Sequence, residues 1–119
     1  MAFHPEDRVV ASCSEDKSIK LWNLDDGGLI STMNVDGEVE SVHWSPCGTK
    51  IAAACNDDDT DNYCVKILNS ETGALLCALR GHSAEIRSVC FSSDGKQLTS
   101  GSDDTTVRNW DPTTRASLS

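Results

Sequence analysis

The feature that most restricts the fold of this chain is an internal repeat. Three segments share one pattern of aromatic, apolar and turn-forming residues: 2–27, 43–73 and 90–115. Trp22 follows Phe3 by 19 residues, and Trp110 follows Phe91 by the same number. In the middle segment Leu68 follows Trp44 by 24 residues, so this copy carries five additional residues. A repeat of this length predicts an array of similar units in which neighbours bury a shared core.

Each unit consists of short strand-like runs joined by turns. Runs of small and β-branched residues follow turn clusters rich in Pro, Gly, Ser and Asp, and these runs are 9–14, 51–56 and 98–103. Further strand-like runs occupy 18–23, 28–33, 38–44, 64–69, 74–79, 85–91 and 105–110. Turn residues at these spacings are typical of hairpins, and no stretch shows a helical period. The sequence therefore predicts an all-β fold with four antiparallel strands in each complete unit.

A unit of about 40 to 45 residues, with four strands, Gly-His near its start and Trp-Asp near its end, is typical of a β-propeller blade. The third unit has Gly81-His82 and Trp110-Asp111 at these places. On these residues the chain resembles the WD40-repeat family of β-propellers over nearly its whole length. The resemblance divides the chain into an incomplete blade (1–33), a degenerate blade with an insertion at 57–62 (34–79), and a best-preserved blade with a truncated outer strand (80–119). Asn23 replaces the Asp of the first blade, and Leu68 replaces the Trp of the degenerate blade.

The resemblance also implies a set of hydrogen-bonded polar residues in each intact blade. In the third unit the set consists of His82, Asp104, Trp110 and either Ser100 or Ser102, since the two serines lie two apart on one strand and face the same side. A partial set in the first unit consists of Trp22, Asp16 and either Ser12 or Ser14. The middle unit lacks both His and Trp, so we expect its strands to be held in register least firmly. Because the arrangement recurs from unit to unit, we interpret it as structural, and no catalytic residue is predicted.

Acidic residues concentrate in loops that, by the resemblance, lie on one face of the propeller. The candidate partner-binding residues are Asp36, Glu38, Asp57, Asp58, Asp59 and Asp61. The inserted loop has three interpretations: a solvated loop tip, a surface for a Lys/Arg-rich peptide or protein, and a calcium site. Asp57, Asp59 and Asp61 have the spacing of a calcium loop. However, Asn62 stands where the sharp turn needs Gly, and Leu68 stands where a bidentate Glu is expected. No metal site and no cofactor are therefore predicted.

Charge and cysteine content restrict the partners and the compartment. The formal net charge of −9 argues against nucleic acid and anionic membranes, which need clustered Lys and Arg. The densest apolar run, 73–79, is too short to cross a bilayer, and the first residues lack the pattern of a secretory signal. Six cysteines at irregular spacing match no zinc motif and indicate reduced thiols in a cytoplasmic or nuclear protein.

The predicted function is a non-catalytic scaffold for protein–protein interactions, whose acidic loops contact a basic peptide or protein surface. The alternative is a metal-dependent or enzymatic propeller protein with a site on the Asp-rich loops. Closed propellers have about four to eight blades, so we expect the three units to belong to a longer propeller or to self-associate to close the ring. Such an open arc is expected to expose the apolar flanks of its end blades.

Overall fold

Three antiparallel sheets make up the computed structural model, which describes residues 2–3, 8–13, 17–35, 38–57, 62–80 and 82–111, with the backbone alone at 2–3, 57 and 62. Sheet 1 contains, in spatial order, β1 (Ala2–Phe3), β2 (Val9–Cys13), β3 (Ser18–Asn23) and β4 (Leu29–Asn34). Sheet 2 contains β5 (Glu38–Trp44), β6 (Lys50–Asp57), β7 (Asn62–Asn69) and β8 (Leu75–Arg80). Sheet 3 contains β9 (Ile86–Phe91), β10 (Leu98–Ser102) and β11 (Val107–Trp110). The described residues include no helix, and the predicted all-β class is confirmed.

The register of the strands follows the sequence repeat. In each sheet, the third-strand position that is Trp in the first and third units pairs with the same repeat position of the second strand. The pairs are Val10 with Trp22, Ile51 with Leu68 and Leu98 with Trp110. Side chains that are equivalent in the repeat therefore occupy equivalent positions on the three sheets.

The insertion of the middle unit lengthens strands as well as a loop. β6 and β7 continue to Asp57 and Asn62, which pair with each other at the end of the ladder. The predicted loop 57–62 is therefore too long by one residue at each end, since the extra residues extend the hydrogen-bonded ladder. The remaining loop residues, 58–61, lie outside the described part of the chain.

Asparagine closes the turn between the third and fourth strands in sheets 1 and 2. Asn23 Oδ1 accepts a hydrogen bond of 2.8 Å from the backbone N–H of Asp25, and Asn69 Oδ1 accepts one of 2.8 Å from that of Glu71. Gly73 completes the second of these turns with φ of 75°, a conformation that disfavours residues with a Cβ. Asn23 is thus uncharged, unlike the Asp of the repeat pattern, but it retains the side-chain oxygen that accepts a hydrogen bond in the turn.

Sheet 2 lies between the other two sheets and is buried on both faces. Ala53 and Leu68 belong to an apolar core shared with sheet 1, whereas Ala52 and Ile67 belong to a second core shared with sheet 3. The three successive alanines of β6, 52–54, are completely buried. Because the side chain of alanine is only a methyl group, both neighbouring sheets can approach the backbone of β6 closely and pack tightly against it.

The outward face of sheet 3 differs chemically from the equivalent faces of the other sheets; we call each face of a sheet a flank. The equivalent residues are Ala11, Cys13, Ile19 and Leu21 in sheet 1, Ala52, Ala54, Val65 and Ile67 in sheet 2, and Thr99, Gly101, Val107 and Asn109 in sheet 3. Thr99 Oγ1 donates a 2.7 Å hydrogen bond to Asn109 Oδ1 on this flank. The expectation that both end units expose apolar flanks is therefore wrong for sheet 3, where Val107 is the apolar exception. A polar outer face suits contact with water better than contact with another apolar sheet.

Polar contacts at Asn56 and His43 connect sheet 2 to β9 of sheet 3. The buried amide of Asn56 accepts from the N–H of Ile86 at 2.8 Å and donates to the carbonyl of Ile86 at 3.0 Å. At the other end of β9, the N–H of Phe91 donates to His43 Nδ1 at 3.3 Å. The middle sheet therefore has polar connections to its neighbour, although it lacks the His and Trp of the repeat.

Replacing Asn56 by Ala is expected to lower the free energy of unfolding by about 2 kcal/mol, because it leaves a buried N–H and a buried carbonyl without partners. Urea denaturation followed by fluorescence measures the change. The control is Asn34→Ala at an exposed position on β4, which should change stability by less than about 0.5 kcal/mol. Equal losses in the two variants would show that the contact between Asn56 and Ile86 does not stabilise the packed sheets.

Candidate functional site

Four polar side chains of the third unit form one hydrogen-bonded chain. His82 Nδ1 lies 2.8 Å from Asp104 Oδ2, and His82 Nε2 lies 2.7 Å from Ser100 Oγ. Trp110 Nε1 donates to the same Ser100 oxygen at 2.9 Å. Because a carboxylate only accepts, Nδ1 of His82 is the donor to Asp104, and Nε2 accepts the hydroxyl proton of Ser100. Of the two serines that the sequence left open, the chain of hydrogen bonds contains Ser100.

Ser102 contacts the backbone of the neighbouring segment instead. Its hydroxyl lies 3.0 Å from the carbonyl oxygen of Ala84 and 2.9 Å from that of Glu85. It also accepts a 3.2 Å hydrogen bond from the N–H of Asp104. The register between β9 and β10 shifts between Gly101 and Ser102. This irregularity gives the two serines different partners, although they lie two residues apart on one strand.

Asp104 is an almost buried carboxylate, with a side chain that is 7% exposed. Burial raises its pKa, but hydrogen bonds from Thr106, His82 and the backbone N–H groups of Ser83 and Thr106 outweigh burial and place the pKa below its usual value. The ionised carboxylate therefore stabilises the folded state above the unfolded-state pKa of about 3.9. This contribution is lost as the pH falls through the lower pKa of the folded state.

The combination of Ser, His and Asp does not present a nucleophile to solvent. Ser100 is completely buried, and its hydroxyl already contacts both His82 and Trp110. A nucleophilic serine needs a reacting atom about 3 Å from its oxygen, and no such space is open at Ser100. The hydrogen bonds instead join β10, β11 and the segment before β9 while giving a partner to each buried polar group.

The equivalent positions of the other two sheets retain less of this chain. In sheet 1, Trp22 Nε1 donates to Ser12 Oγ at 2.9 Å. The other candidates of the first unit, Ser14 and Asp16, lie outside the described residues. In sheet 2, Ala53 and Leu68 replace the Ser and the Trp and are buried in the apolar core.

Glu38 and Asp57, the two candidate partner-binding residues within the described part of the chain, lie at what we call the acidic end of the sheets, where β2, β6 and β10 end. Glu38 begins β5 there and is exposed. For Asp57 the structure gives the backbone alone, at the end of β6. The remaining candidates, Asp36, Asp58, Asp59 and Asp61, lie outside the described residues.

An ion-pair cluster at the acidic end was missed by the sequence reasoning. Arg87 Nε and one terminal nitrogen lie 3.0 and 2.7 Å from Asp103 Oδ2. The same terminal nitrogen lies 2.9 Å from Glu85, and the other lies 3.5 Å from Glu40 of sheet 2. The hydrogen bonds from Arg87 lower the pKa of Asp103. Strand alternation places Glu85 and Arg87 on one side of the chain, but the sequence carries no signal for the approach of Glu40 from another sheet.

The cysteines differ widely in exposure. None of the six, all of which lie within the described residues, forms a disulfide: Cys55, Cys64 and Cys77 are buried, Cys13 is partly buried, and Cys47 and Cys90 are exposed. Hydrogen bonds from the hydroxyls of Ser45 and Thr49 lower the pKa of the Cys47 thiol to about 7. Burial raises the pKa of the Cys64 thiol. Cys47 is therefore a thiol that is both accessible and about half ionised at pH 7.

The described part of the chain shows neither a metal-ligating cluster nor a membrane-spanning helix. No group of three or more His, Cys, Asp and Glu side chains with the arrangement of a metal site occurs among those residues. The same residues include no helix with the length and hydrophobicity that a membrane crossing requires. The first finding does not cover the Asp-rich loop 58–61, which is outside them.

Repeated antiparallel sheets that pack flank to flank, one of them with a His–Ser–Trp hydrogen-bond chain between its own strands, define a repeat protein built of propeller-type blades. The WD40 family profile (WD domain, G-beta repeat) matches residues 1–23, 27–61 and 73–111. The chain belongs to the WD40-repeat family. The residues between the second and third matches, 62–72, include Leu68, where the family residue is Trp.

Similar proteins carry the repeat within much longer chains. Nuclear distribution protein PAC1 of Arthroderma benhamiae is 35% identical over 108 residues, which are 87% of this chain and 23% of that protein. Apoptotic protease-activating factor 1 of Homo sapiens is 31% identical over 160 aligned residues, which cover 92% of this chain and 13% of that protein. U3 small nucleolar RNA-associated protein 21 homolog of Schizosaccharomyces pombe is 29% identical over 104 residues, 87% of this chain and 11% of that protein. The chain thus spans less than a quarter of the length of these relatives.

Replacing Ser100 by Ala is expected to lower the free energy of unfolding by about 2–3 kcal/mol, because the buried Trp110 and His82 both lose a partner. The matched control is Ser12→Ala, which removes the equivalent hydroxyl beside the partly exposed Trp22 and should cost about 1 kcal/mol or less. Chemical denaturation of both variants measures the difference. A larger loss for Ser12→Ala would contradict the stabilising role assigned to the hydrogen-bond chain of sheet 3.

Cys47 is expected to be alkylated by iodoacetamide at pH 7 before the other exposed thiol, Cys90, because its thiolate is stabilised by two hydroxyl groups. Time-resolved peptide mass spectrometry measures the two rates. Thr49→Val removes one of the hydroxyl donors and should slow the reaction at Cys47 while leaving Cys90 unchanged. An unchanged rate at Cys47 would show that the Thr49 hydroxyl does not activate the thiol.

Proposed function

We propose that this chain is a non-catalytic scaffold whose acidic end contacts a basic segment of a protein partner. The observation that carries the proposal is the excess of carboxylates there: Glu40, Glu85 and Asp103 surround Arg87. The exposed Glu38 lies two residues before Glu40 on β5. The candidates Asp36, Asp57, Asp58, Asp59 and Asp61 belong to the same end by their place in the sequence. A concentration of one charge steers and orients a partner of the opposite charge.

Membership of the WD40 family supports the scaffold role, since loops held on a rigid sheet framework are well suited to recognition. We propose a cytoplasmic or nuclear location, in line with the names of the relatives from Arthroderma benhamiae and Schizosaccharomyces pombe. Further blades or a second copy of the chain are the proposed neighbours of the outward flank of sheet 1, where Trp22 is partly exposed. The net charge of −9 makes nucleic acid an unfavourable partner.

Changing Asp58, Asp59 and Asp61 together to Ser is expected to weaken binding of a labelled peptide of alternating Lys and Ser by at least about threefold at low salt, because three attractive charges are removed. Fluorescence polarisation measures the affinity, with an alternating Glu–Ser peptide as the non-binding reference. The matched control changes Asp25, Asp26 and Asp94 to Ser at the opposite end and should retain binding.

Unchanged affinity in the Asp58, Asp59 and Asp61 variant would contradict the role proposed for the acidic loop. The alternative function, a metal-dependent or enzymatic site on the same loop, has a different outcome. Titration calorimetry of the wild-type chain with calcium would then show binding that the triple variant loses.

A further inference from the structure

A groove separates sheets 1 and 2 at the end of the sheets opposite to the acidic end. We call this opposite end, where β6 and β10 begin, the turn end. The groove has a volume of about 420 Å³, within the range of about 300–1,000 Å³ that is usual for ligand sites. Since the eight residues of β6 run from the turn end to the acidic end, about 23 Å separates the groove from the backbone of Asp57. The two surfaces are therefore distinct.

Apolar side chains from both sheets form the walls of the groove. Val9, Leu21 and Ile30 line it from sheet 1, and Trp44 lines it from sheet 2. Leu21 and Trp44 are buried, whereas Ile30 is 52% exposed at the opening. Leu29, next to Ile30 at the start of β4, is also 52% exposed. An apolar wall that continues into exposed apolar residues suits the insertion of an apolar side chain.

The rim of the groove is polar and carries a negative charge. Ser70 Oγ donates a 3.0 Å hydrogen bond to the carbonyl of Gly48, which holds the two turns of sheet 2 together. The backbone of Glu71 is fixed by Asn69, and its exposed carboxylate forms no ion pair within the described residues. Glu71 is the charged residue among those that line the groove. Lys50 begins β6 at the turn end but does not line it.

We infer that this groove binds a short segment of a protein partner in which a large apolar side chain is followed closely by Arg or Lys. The apolar side chain enters between Leu21 and Trp44, and the cationic side chain pairs with Glu71 at the rim. The groove lies between two sheets that are both present in this chain, so its walls are complete without any further blade. This site is additional to the acidic end and does not depend on the function proposed for it.

The test uses the whole chain and a fluorescein-labelled peptide that contains a Leu-Leu pair flanked by Arg residues. Fluorescence polarisation is expected to show saturable binding that falls at least about tenfold in Glu71→Arg and in Ile30→Ser. The matched control is Leu76→Ser, because Leu76 occupies on β8 the place that Ile30 occupies on β4 but does not line the groove. Peptides with Ser in place of Leu, or with Glu in place of Arg, should bind at least about tenfold more weakly.

Three outcomes would overturn the inference. Equal affinity for the wild type and both groove variants would place the peptide elsewhere, and an equal loss in Leu76→Ser would indicate non-specific adhesion to the exposed leucines of the fourth strands. Self-association of the wild-type chain that Ile30→Ser abolishes would assign the groove to a second copy. The same measurements are repeated in the background of the variant with Asp58, Asp59 and Asp61 changed to Ser, where the acidic loop no longer contributes to binding of a cationic peptide. The losses in Glu71→Arg and Ile30→Ser should persist there, so failure of the acidic-end proposal remains distinguishable from failure here.

Discussion

The burial of sheet 2 on both faces is the constraint on which the rest of the structure depends. A four-stranded sheet has two flanks, and each needs an apolar neighbour or a surface compatible with water. β6 meets this requirement with three alanines that are completely buried between the two cores. Sheets 1 and 3 each have one flank packed in this way, so their other flanks are free to differ.

This constraint accounts for the apparent degeneracy of the middle unit. The His–Ser–Trp chain of sheet 3 gives partners to polar groups that would otherwise be buried alone. With Ala53 and Leu68 at the equivalent positions, sheet 2 buries no hydroxyl or indole N–H there and has no need of a histidine. Its polar contact lies instead at Asn56, which joins it to sheet 3. The middle unit thus lacks the repeat pattern because its core is apolar at the positions where sheet 3 buries hydrogen-bonded polar groups.

The periodic pattern of the sequence was sufficient to predict the all-β class and the positions of most strands, and the resemblance to WD40 repeats implied the residues of the hydrogen-bond chain. The sequence could not choose between Ser100 and Ser102, since strand alternation makes them equivalent and the irregular register after Gly101 separates them. It also placed Asp57 and Asn62 in a loop, whereas they pair in the ladder. The contact of Arg87 with Glu40 was beyond sequence reasoning, because it depends on how two sheets approach each other.

The polar flank of sheet 3 and the groove between sheets 1 and 2 have one physical origin. Flank-to-flank packing buries apolar side chains where they meet, as Ile67, Phe91 and Trp110 do between sheets 2 and 3. Thr99 and Asn109 satisfy each other on a flank that no described sheet covers. At the turn end of sheets 1 and 2, Ile30 remains half exposed and the buried Trp44 lines an open groove. The surfaces available for recognition are thus the places where the packing of repeated sheets stops.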